Sequence, residues 1–301
     1  MLGITLLGTG GMVPLKNRWL SSCLLFFNGH SVITDCGEGT QIAMKTAGLK
    51  FKSIDVICFT HIHADHISGL PGFLLTMSNE GRTDPVTVIG PKGIKNIVRS
   101  LCVIAPFLPF EIRFSEYTAG MTYYLENMRI TPFRVKHSVP CLGYTFELLR
   151  RGKFDPEKAK ENNVPLKVWS ALQKNDTAEL DGIVYTSDLV LGPDRKGLKV
   201  TYVTDTRPVP SIIENAAQSD LFICEGMFGE EEKLSHAIEK GHMLFSEAAG
   251  LALKADVRRL WLTHYSPSLS DPEEYIENAR RIFPAAECGT DGKFIELDFE
   301  D

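Results

Sequence analysis

Short apolar runs bounded by turn residues alternate along this chain with stretches whose apolar positions recur at helical spacing. That alternation predicts an α/β architecture. Residues 4–7, 22–28, 30–35, 55–60, 86–89 and 128–135 read as strands, as do 143–149, 199–204, 221–225, 259–264 and 293–298. Helices are predicted over 40–47 with Gly48 as the stop, and over 93–101, 246–254 and 272–282. The last opens on a capping box, with Asp271 at the N-cap, Pro272 next and Glu274 three residues on. No repeat of solenoid period and no low-complexity tract is present. The rhythm breaks between residues 150 and 197, a polar stretch carrying Pro156, Pro165, Pro193 and several glycines. It is expected to hold a short helix at 156–161 and to form an inserted, protruding arm over 150–189.

Composition adds a class. The 301 residues are 44% hydrophobic and 23% charged, as in a soluble globular enzyme, and are enough for one large domain or two small ones. No apolar run approaches a membrane span, and the first residues read as a strand rather than a leader. Seven cysteines, without a CxxC pair and mostly in apolar runs, read as reduced core thiols of a cytoplasmic protein. The net charge of −6 argues weakly against a nucleic-acid partner. Locally the balance reverses, since residues 150–174 carry seven basic side chains against three acidic ones. That segment is where a polyanion contact is expected.

The densest chemistry is Thr60-His61-Ile62-His63-Ala64-Asp65-His66, directly after the apolar run 54–59. Imidazole and carboxylate suit Zn²⁺ and similar divalent ions. A tight turn past a strand can aim His61 and His63 at one ion and Asp65 and His66 at a second beside it. A pair of close metals suits phosphoryl displacement, and the bland alternative is a solvated histidine cluster. Three further candidates, His137, Asp205 and His264, each end a predicted strand, where sites gather in α/β sheets. His30 and His236 find no place in this pattern and read as surface or structural residues.

Asp35-Cys36-Gly37-Glu38-Gly39-Thr40-Gln41, the H-x-H-x-D-H-x-x-G-L-P-G run from His61 to Gly72, and Gly90-Pro91-Lys92-Gly93 form a specific set. With Gly8-Thr9-Gly10 followed by Pro14, Lys16 and Arg18, they resemble the metallo-β-lactamase superfamily and, within it, the ribonuclease Z family. The resemblance implies a single αββα sandwich over residues 1–301, the arm inserted in it, and a dinuclear site at one edge. It implies that His61, His63, His137 and Asp205 hold one ion. Asp65, His66, His264 and the shared Asp205 hold the other, with Asp35 orienting the ligand loop. The ions implied are Zn²⁺, with Mn²⁺ or Fe²⁺ as alternatives. His242 stands where the family protonates the leaving oxygen and Glu225 where it supports that histidine, while Asp65 manages the proton of the attacking water. Cys224 and Gly226 depart from the family's usual H-E-A-T-F, and Leu166-Lys167 replaces the Gly-Pro of its arm. RNA contacts are implied at Lys16 and Arg18 and, in the arm, at Arg150, Arg151 and Lys153. The implied activity is removal of 3′ trailers from precursor tRNA, leaving a tRNA 3′-hydroxyl, by a homodimer without membrane contact. The rival is a phosphodiesterase of the same fold acting on small esters such as cyclic nucleotides.

Overall fold

The apolar runs collect into two seven-stranded sheets. In the first, β1 (Leu2–Gly8), β2 (Ser22–Phe27), β3 (His30–Thr34), β4 (Ile54–Cys58), β5 (Val86–Gly90) and β6 (Ile112–Glu116) are neighbours in chain order. β1 to β3 pair antiparallel and β3 to β6 parallel. The second sheet begins with β7 (Tyr123–Leu125), β8 (Met128–Val135) and β9 (Cys141–Arg150). After a separate hairpin, β10 (Thr177–Leu180) and β11 (Ile183–Thr186), it continues through β12 (Arg195–Val203), β13 (Leu221–Glu225), β14 (Leu260–Thr263) and β15 (Ala286–Cys288). β12 to β15 are parallel, and β16 (Phe294–Leu297) crosses back to pair antiparallel with β1.

Helices cover both outer faces. α1 (Thr40–Thr46), the single turn α2 (Ala64–Ile67), α3 (Leu70–Asn79) and α4 (Ile94–Leu101) follow strands of the first sheet. Met44, Phe73, Met77 and Val98 from that layer are buried with Ile33, Ile57 and Val88 of the sheet. The inserted helices are α5 (Pro156–Glu161) and α6 (Leu166–Leu172), and α7 (Pro210–Ala216), α8 (Leu234–Lys240), α9 (Phe245–Lys254) and α10 (Ile276–Arg280) follow them. Ile212, Phe245, Leu251 and Ile276 pack with Phe222, Leu260 and Leu262 of the second sheet. Between the sheets, fully buried Tyr144 donates its hydroxyl to the carbonyl of Phe59 at 2.7 Å. This is the αββα sandwich that the resemblance implies. Each buried Leu, Ile or Phe contributes about 1.5–3 kcal/mol, so the strand-end loops stand on a stiff base.

The computed structural model describes residues 1–300, which divide into two compact units. The larger comprises Met1–Glu147 and Leu198–Asp298; the smaller comprises Leu148–Gly197 with the residues from Phe299 onward. The smaller unit is wider than the 150–189 expected and less polar in character. Ala159, Val164, Val168, Leu172, Val190 and Leu191 form a buried cluster of its own, with Phe154 and Trp169 against it. Its short helix, Pro156–Glu161, is capped by Asp155, whose carboxylate accepts from the amides of Glu157 and Lys158. Its hairpin turns on Asp181 and Gly182, with φ of 52° and 81°. That pair of left-handed residues is what a two-residue type I′ turn requires.

Two helix expectations change. The 272–282 stretch is a 3₁₀ turn, Pro272–Tyr275, followed by a short α10. Asp271 does cap it, but its carboxylate accepts from the amide of Glu273, and Glu274 closes no reciprocal box. Helix α3 is not among the expected helices, and Gly69, Pro71 and Gly72 lie at its start. Pro71 sits in the first turn, where its missing N–H costs nothing, and Gly72 packs against Gln41.

Candidate metal centre

Six strand ends of the larger unit deliver the site. Asp35 follows β3, residues 60–66 follow β4, His137 follows β8, Asp205 follows β12, Glu225 closes β13 and His264 follows β14. Asp35, Asp205 and His264 hold left-handed backbone conformations, with φ of 59°, 40° and 58°. Such conformations cost about 1–3 kcal/mol in a non-glycine residue and persist only where the surroundings over-determine them. Three at one place mark the loops as held in position by the sheets.

The donors form two groups on either side of Asp205, and Asp205, His242 and His264 also bring ligand atoms within 4.8 Å of one another. In the first, His61, His63, His137 and Asp205 bring one ligand atom each to within 4.8 Å of the others. His61 Nε2 lies 3.0 Å from His63 Nδ1, which lies 3.4 Å from His137 Nε2. Asp205 Oδ2 is 3.7 Å from both His61 Nε2 and His137 Nε2. In the second, Asp65, His66 and His264 lie within the same limit, with the two Nε2 atoms 3.2 Å apart. Asp205 Oδ1 is 3.1 Å from His66 Nε2 and 3.0 Å from that of His264. The two oxygens of Asp205 thus address different groups.

These distances allow a test of fit. Four ligands at Zn–N and Zn–O lengths of about 2.0–2.1 Å define a tetrahedron with edges of about 3.3–3.4 Å. The separations of 3.0 to 3.7 Å bracket that edge. Asp205 Oδ1 is buried and accepts no hydrogen bond although two ring nitrogens stand beside it. A buried carboxylate oxygen without a donor is costly unless a cation meets it. The residues present fit a pair of divalent ions.

The titration of the cluster agrees. Burial, reinforced by His66, holds His61 well below the usual histidine range, and burial lowers His137. Burial opposes ionisation of Asp205, but His264, His66 and His61 outweigh it and keep the carboxyl well below its ordinary value. Asp65 is likewise held low, burial being outweighed by its bonds to His264 and His66. Neutral imidazoles and ionised carboxylates are the ligand forms. His66 is the exception: burial would lower it, yet the flanking Asp205 and Asp35 drive it up.

The ring orientations are set from behind. Asp35 Oδ2 lies 2.8 Å from His66 Nδ1, and Asp35 Oδ1 accepts from the Thr60 amide at 2.8 Å. The Thr60 hydroxyl stands 3.1 Å from His61 Nδ1, and His137 Nδ1 donates to the Gly241 carbonyl at 3.3 Å. Such partners fix tautomer and direction. In the first loop, the Met12 amide donates to Asp65 Oδ2 at 2.8 Å.

His242 closes the other side. Its Nδ1 is 3.2 Å from Oε2 of fully buried Glu225, which also accepts from the amides of Met243 and Thr206. Burial alone would depress His242, but Glu225, then Asp205 and Asp65, raise it to about 9. His242, His63, Asp65, His137 and His264 share a cavity of about 360 Å³ with Met12 and Phe228. His236 is exposed at the mouth of this cavity, and His30 pairs with Asp55 at 2.8 Å outside it.

The predicted phosphate contacts fare differently. Lys16 is exposed. Arg18 is committed elsewhere: its guanidinium donates to the carbonyls of Leu269 and Ser270, at 2.7 and 3.0 Å, and covers the Tyr265 ring. It fastens its loop instead of presenting a free fork. In the smaller unit Arg150 donates to the Glu300 carbonyl at 2.6 Å, Arg151 pairs with Asp176, and Lys153 is exposed. Sequence reasoning misses Arg207, which bonds the carbonyl of His242 and both oxygens of Glu247. It also misses Asp291. Both act across long sequence separations, for which no local spacing gives a signal.

Comparison with known proteins adds to the geometry. A family described as the β-lactamase superfamily domain matches residues 164–265, and one described as anti-Pycsar protein Apyc1 matches residues 2–103. The chain is 58% identical to the ribonuclease Z of Lachnoclostridium phytofermentans, over 100% of this chain and 99% of that one. It belongs to the ribonuclease Z family. The ribonuclease Z of Clostridium acetobutylicum is 50% identical over 100% of this chain and 99% of its own. Among solved structures, the short form of human tRNase Z has a TM-score of 0.71 at 22% identity, covering 99% of this chain and 100% of that one. The metallo-β-lactamase fold protein YhfI of Bacillus subtilis matches at 0.71 and 17%, over 98% and 100%. These two share the fold, and the ribonuclease Z family members share the sequence along its whole length.

Proposed function

We propose that this chain is a metal-dependent endoribonuclease that removes 3′ trailers from precursor tRNA and leaves a 3′-hydroxyl on the tRNA. The observation that carries the reading is the Glu225–His242 pair set against a seven-residue donor cluster divided by Asp205. His61, His63, His137 and Asp205 would hold one ion, and Asp65, His66, His264 and Asp205 the other. Bound there, divalent ions supply a nucleophile from water at neutral pH and offset charge on the phosphoryl group. Imidazole and carboxylate donors suit Zn²⁺, with Mn²⁺ or Fe²⁺ able to replace it.

The chain's own residues do the rest. His242 gives its proton to the departing 3′-oxygen, and Glu225 keeps that proton on the imidazole and its ring turned toward the cavity. Asp65 is the base that takes the proton of the attacking water and releases it to solvent. Asp35 fixes His66. Lys16 meets RNA phosphates near the site, and Arg150, Arg151 and Lys153 meet them on the inserted unit, residues 150–189 being its substrate-binding part. Arg18 acts by shaping the loop that bears Lys16.

The same reading makes the enzyme a cytoplasmic homodimer. The cysteines among the described residues are all free, which supports a reducing compartment. No helix among the described residues is long and apolar enough to cross a membrane. The small-ester alternative has less behind it, because a small substrate does not require an inserted unit with its own core. The test incubates purified protein with a precursor tRNA and with bis-p-nitrophenyl phosphate. Cleavage at the mature tRNA 3′ end, with the higher kcat/KM on tRNA, is expected. Turnover of the ester alone would sink the assignment.

A further inference from the structure

The loop between β1 and β2 reaches the donor cluster through its backbone, and it needs an anchor to do so. Met12, at φ 67°, gives its amide to Asp65 Oδ2. Next to it, Gly11 passes so close to His264 that a Cβ there would lie 2.6 Å from the ring. Both approaches fail if the loop shifts by an ångström. Arg18 holds the loop to Leu269 and Ser270, and Thr9 and Gly11 bond the backbone of Tyr265, but one side chain far away in sequence bonds both of its ends at once. Asp291 Oδ1 accepts from the amide of Thr9 at 2.9 Å and from its hydroxyl at 2.8 Å. Asp291 Oδ2 accepts from the amide of Trp19 at 2.6 Å.

Asp291 is itself fixed. It lies in the turn where the chain leaves β15 of the second sheet for β16 of the first. Gly292 donates to the Leu6 carbonyl at 2.7 Å, the Leu6 amide donates back to Lys293 at 3.0 Å, and Gly289 donates to the Leu262 carbonyl at 2.8 Å. One carboxylate thus pins both ends of an active-site loop to the crossing between the two sheets.

We infer that Asp291 is a positioning residue: by holding the 9–19 loop it sets the Met12 amide on Asp65, and with it the geometry of the Asp65–His66–His264 group. The inference rests on the proposed metal reading but not on the substrate. The carboxylate is needed at both oxygens, because an amide in its place offers one acceptor and turns a donor toward the other loop end.

The experiment compares Asp291→Asn and Asp291→Ala with wild type, using Zn²⁺ as the probe. Metal content is followed during stepwise chelation, with bis-p-nitrophenyl phosphate kinetics and thermal melting alongside. Asp291→Ala should lose one of two zinc ions at roughly tenfold lower chelator concentration while retaining the other. Its kcat on the ester should fall about tenfold or more with KM little changed, and Asp291→Asn should lie between it and wild type. Loss of both ions in parallel would reduce Asp291 to a general stabilising contact and overturn the inference, as would unchanged zinc retention in both variants. If Asp291→Ala does not fold, the milder Asp291→Asn decides by the same two readouts. Failure of wild type to cut precursor tRNA would instead refute the proposed substrate, leaving the zinc result to stand alone.

Discussion

Replacing Glu225 by Gln isolates the proton donor, because it removes a charge while keeping the shape. His242 stands near 9 with the carboxylate at 3.2 Å. Without that charge only the weaker pull of Asp205 and Asp65 opposes burial, and the imidazole falls toward its ordinary value of about 6.5. A complete fall to that value would be about 2.5 units, so the lost support for the imidazolium is at most roughly 3.4 kcal/mol. Bound dications would lower both values, but the difference between the two proteins survives. The sign follows from the role: the acid must be protonated, so activity falls as pH rises through the folded pKa. At pH 8 a complete fall would drop the protonated fraction from about 0.9 to about 0.03, so the loss in kcat reaches up to roughly 30-fold, whereas at pH 6 it is at most a few-fold. The assay is kcat for precursor tRNA between pH 6 and 9.5, beside bis-p-nitrophenyl phosphate, whose good leaving group needs little protonation. The tRNA defect should grow with pH and the ester defect should stay flat. A pH-independent loss, or the same loss on both substrates, would refute the donor role and leave Glu225 as a buried anchor for Thr206 and Met243.

Other outcomes follow from the same geometry. Asp205→Ala should lower metal content at both positions, His137→Ala mainly at the first and His264→Ala mainly at the second; elemental analysis decides, and two full equivalents in Asp205→Ala would exclude a shared ligand. His242→Ala should keep both metals and lose about 10²–10⁴-fold on tRNA but far less on the nitrophenyl ester, as measured by paired kinetics. Replacing residues 150–189 by a Gly/Ser linker should leave ester hydrolysis nearly intact, raise KM for tRNA and flatten its salt dependence, read from kcat/KM against ionic strength. Asp181→Pro in the inserted hairpin should weaken tRNA binding without touching ester hydrolysis, because proline cannot adopt φ 52°.

What the sequence disclosed and what it hid divide along a physical line. Strands of the sandwich are readable because their burial is local and continuous, and Leu221–Glu225 and Met128–Val135 fall where the apolar runs end. The candidate donors are readable for a related reason: side chains at strand ends sit beside an apolar run, which is itself visible. The hairpin at residues 177–186 was also accessible, since Thr-Ala-Glu-Leu and Ile-Val-Tyr-Thr flank Asp181-Gly182, but the polar average of the segment obscured it. Composition describes a whole stretch, while a turn depends on two residues.

The contacts behind the ligands were not readable at all. Arg18 looks like a phosphate contact in sequence because it is basic, near a glycine loop and next to Lys16. In the fold its guanidinium donates to two carbonyls 251 and 252 residues away. Arg207 and Asp291 likewise meet partners distant in sequence, His242 and Glu247 for the first and Thr9 and Trp19 for the second. These groups do no chemistry, yet they decide where the chemistry sits, because a left-handed strand end or a loop amide has no fixed direction of its own. A metal centre read from sequence is therefore a set of donors, and the sandwich turns that set into a site by tying Asp35 to His66, Arg207 to the backbone of His242, and Asp291 to the loop over Asp65. Mutations in this second group should accordingly change metal retention and the ratio of kcat to KM, while mutations in the donors should abolish both activities together.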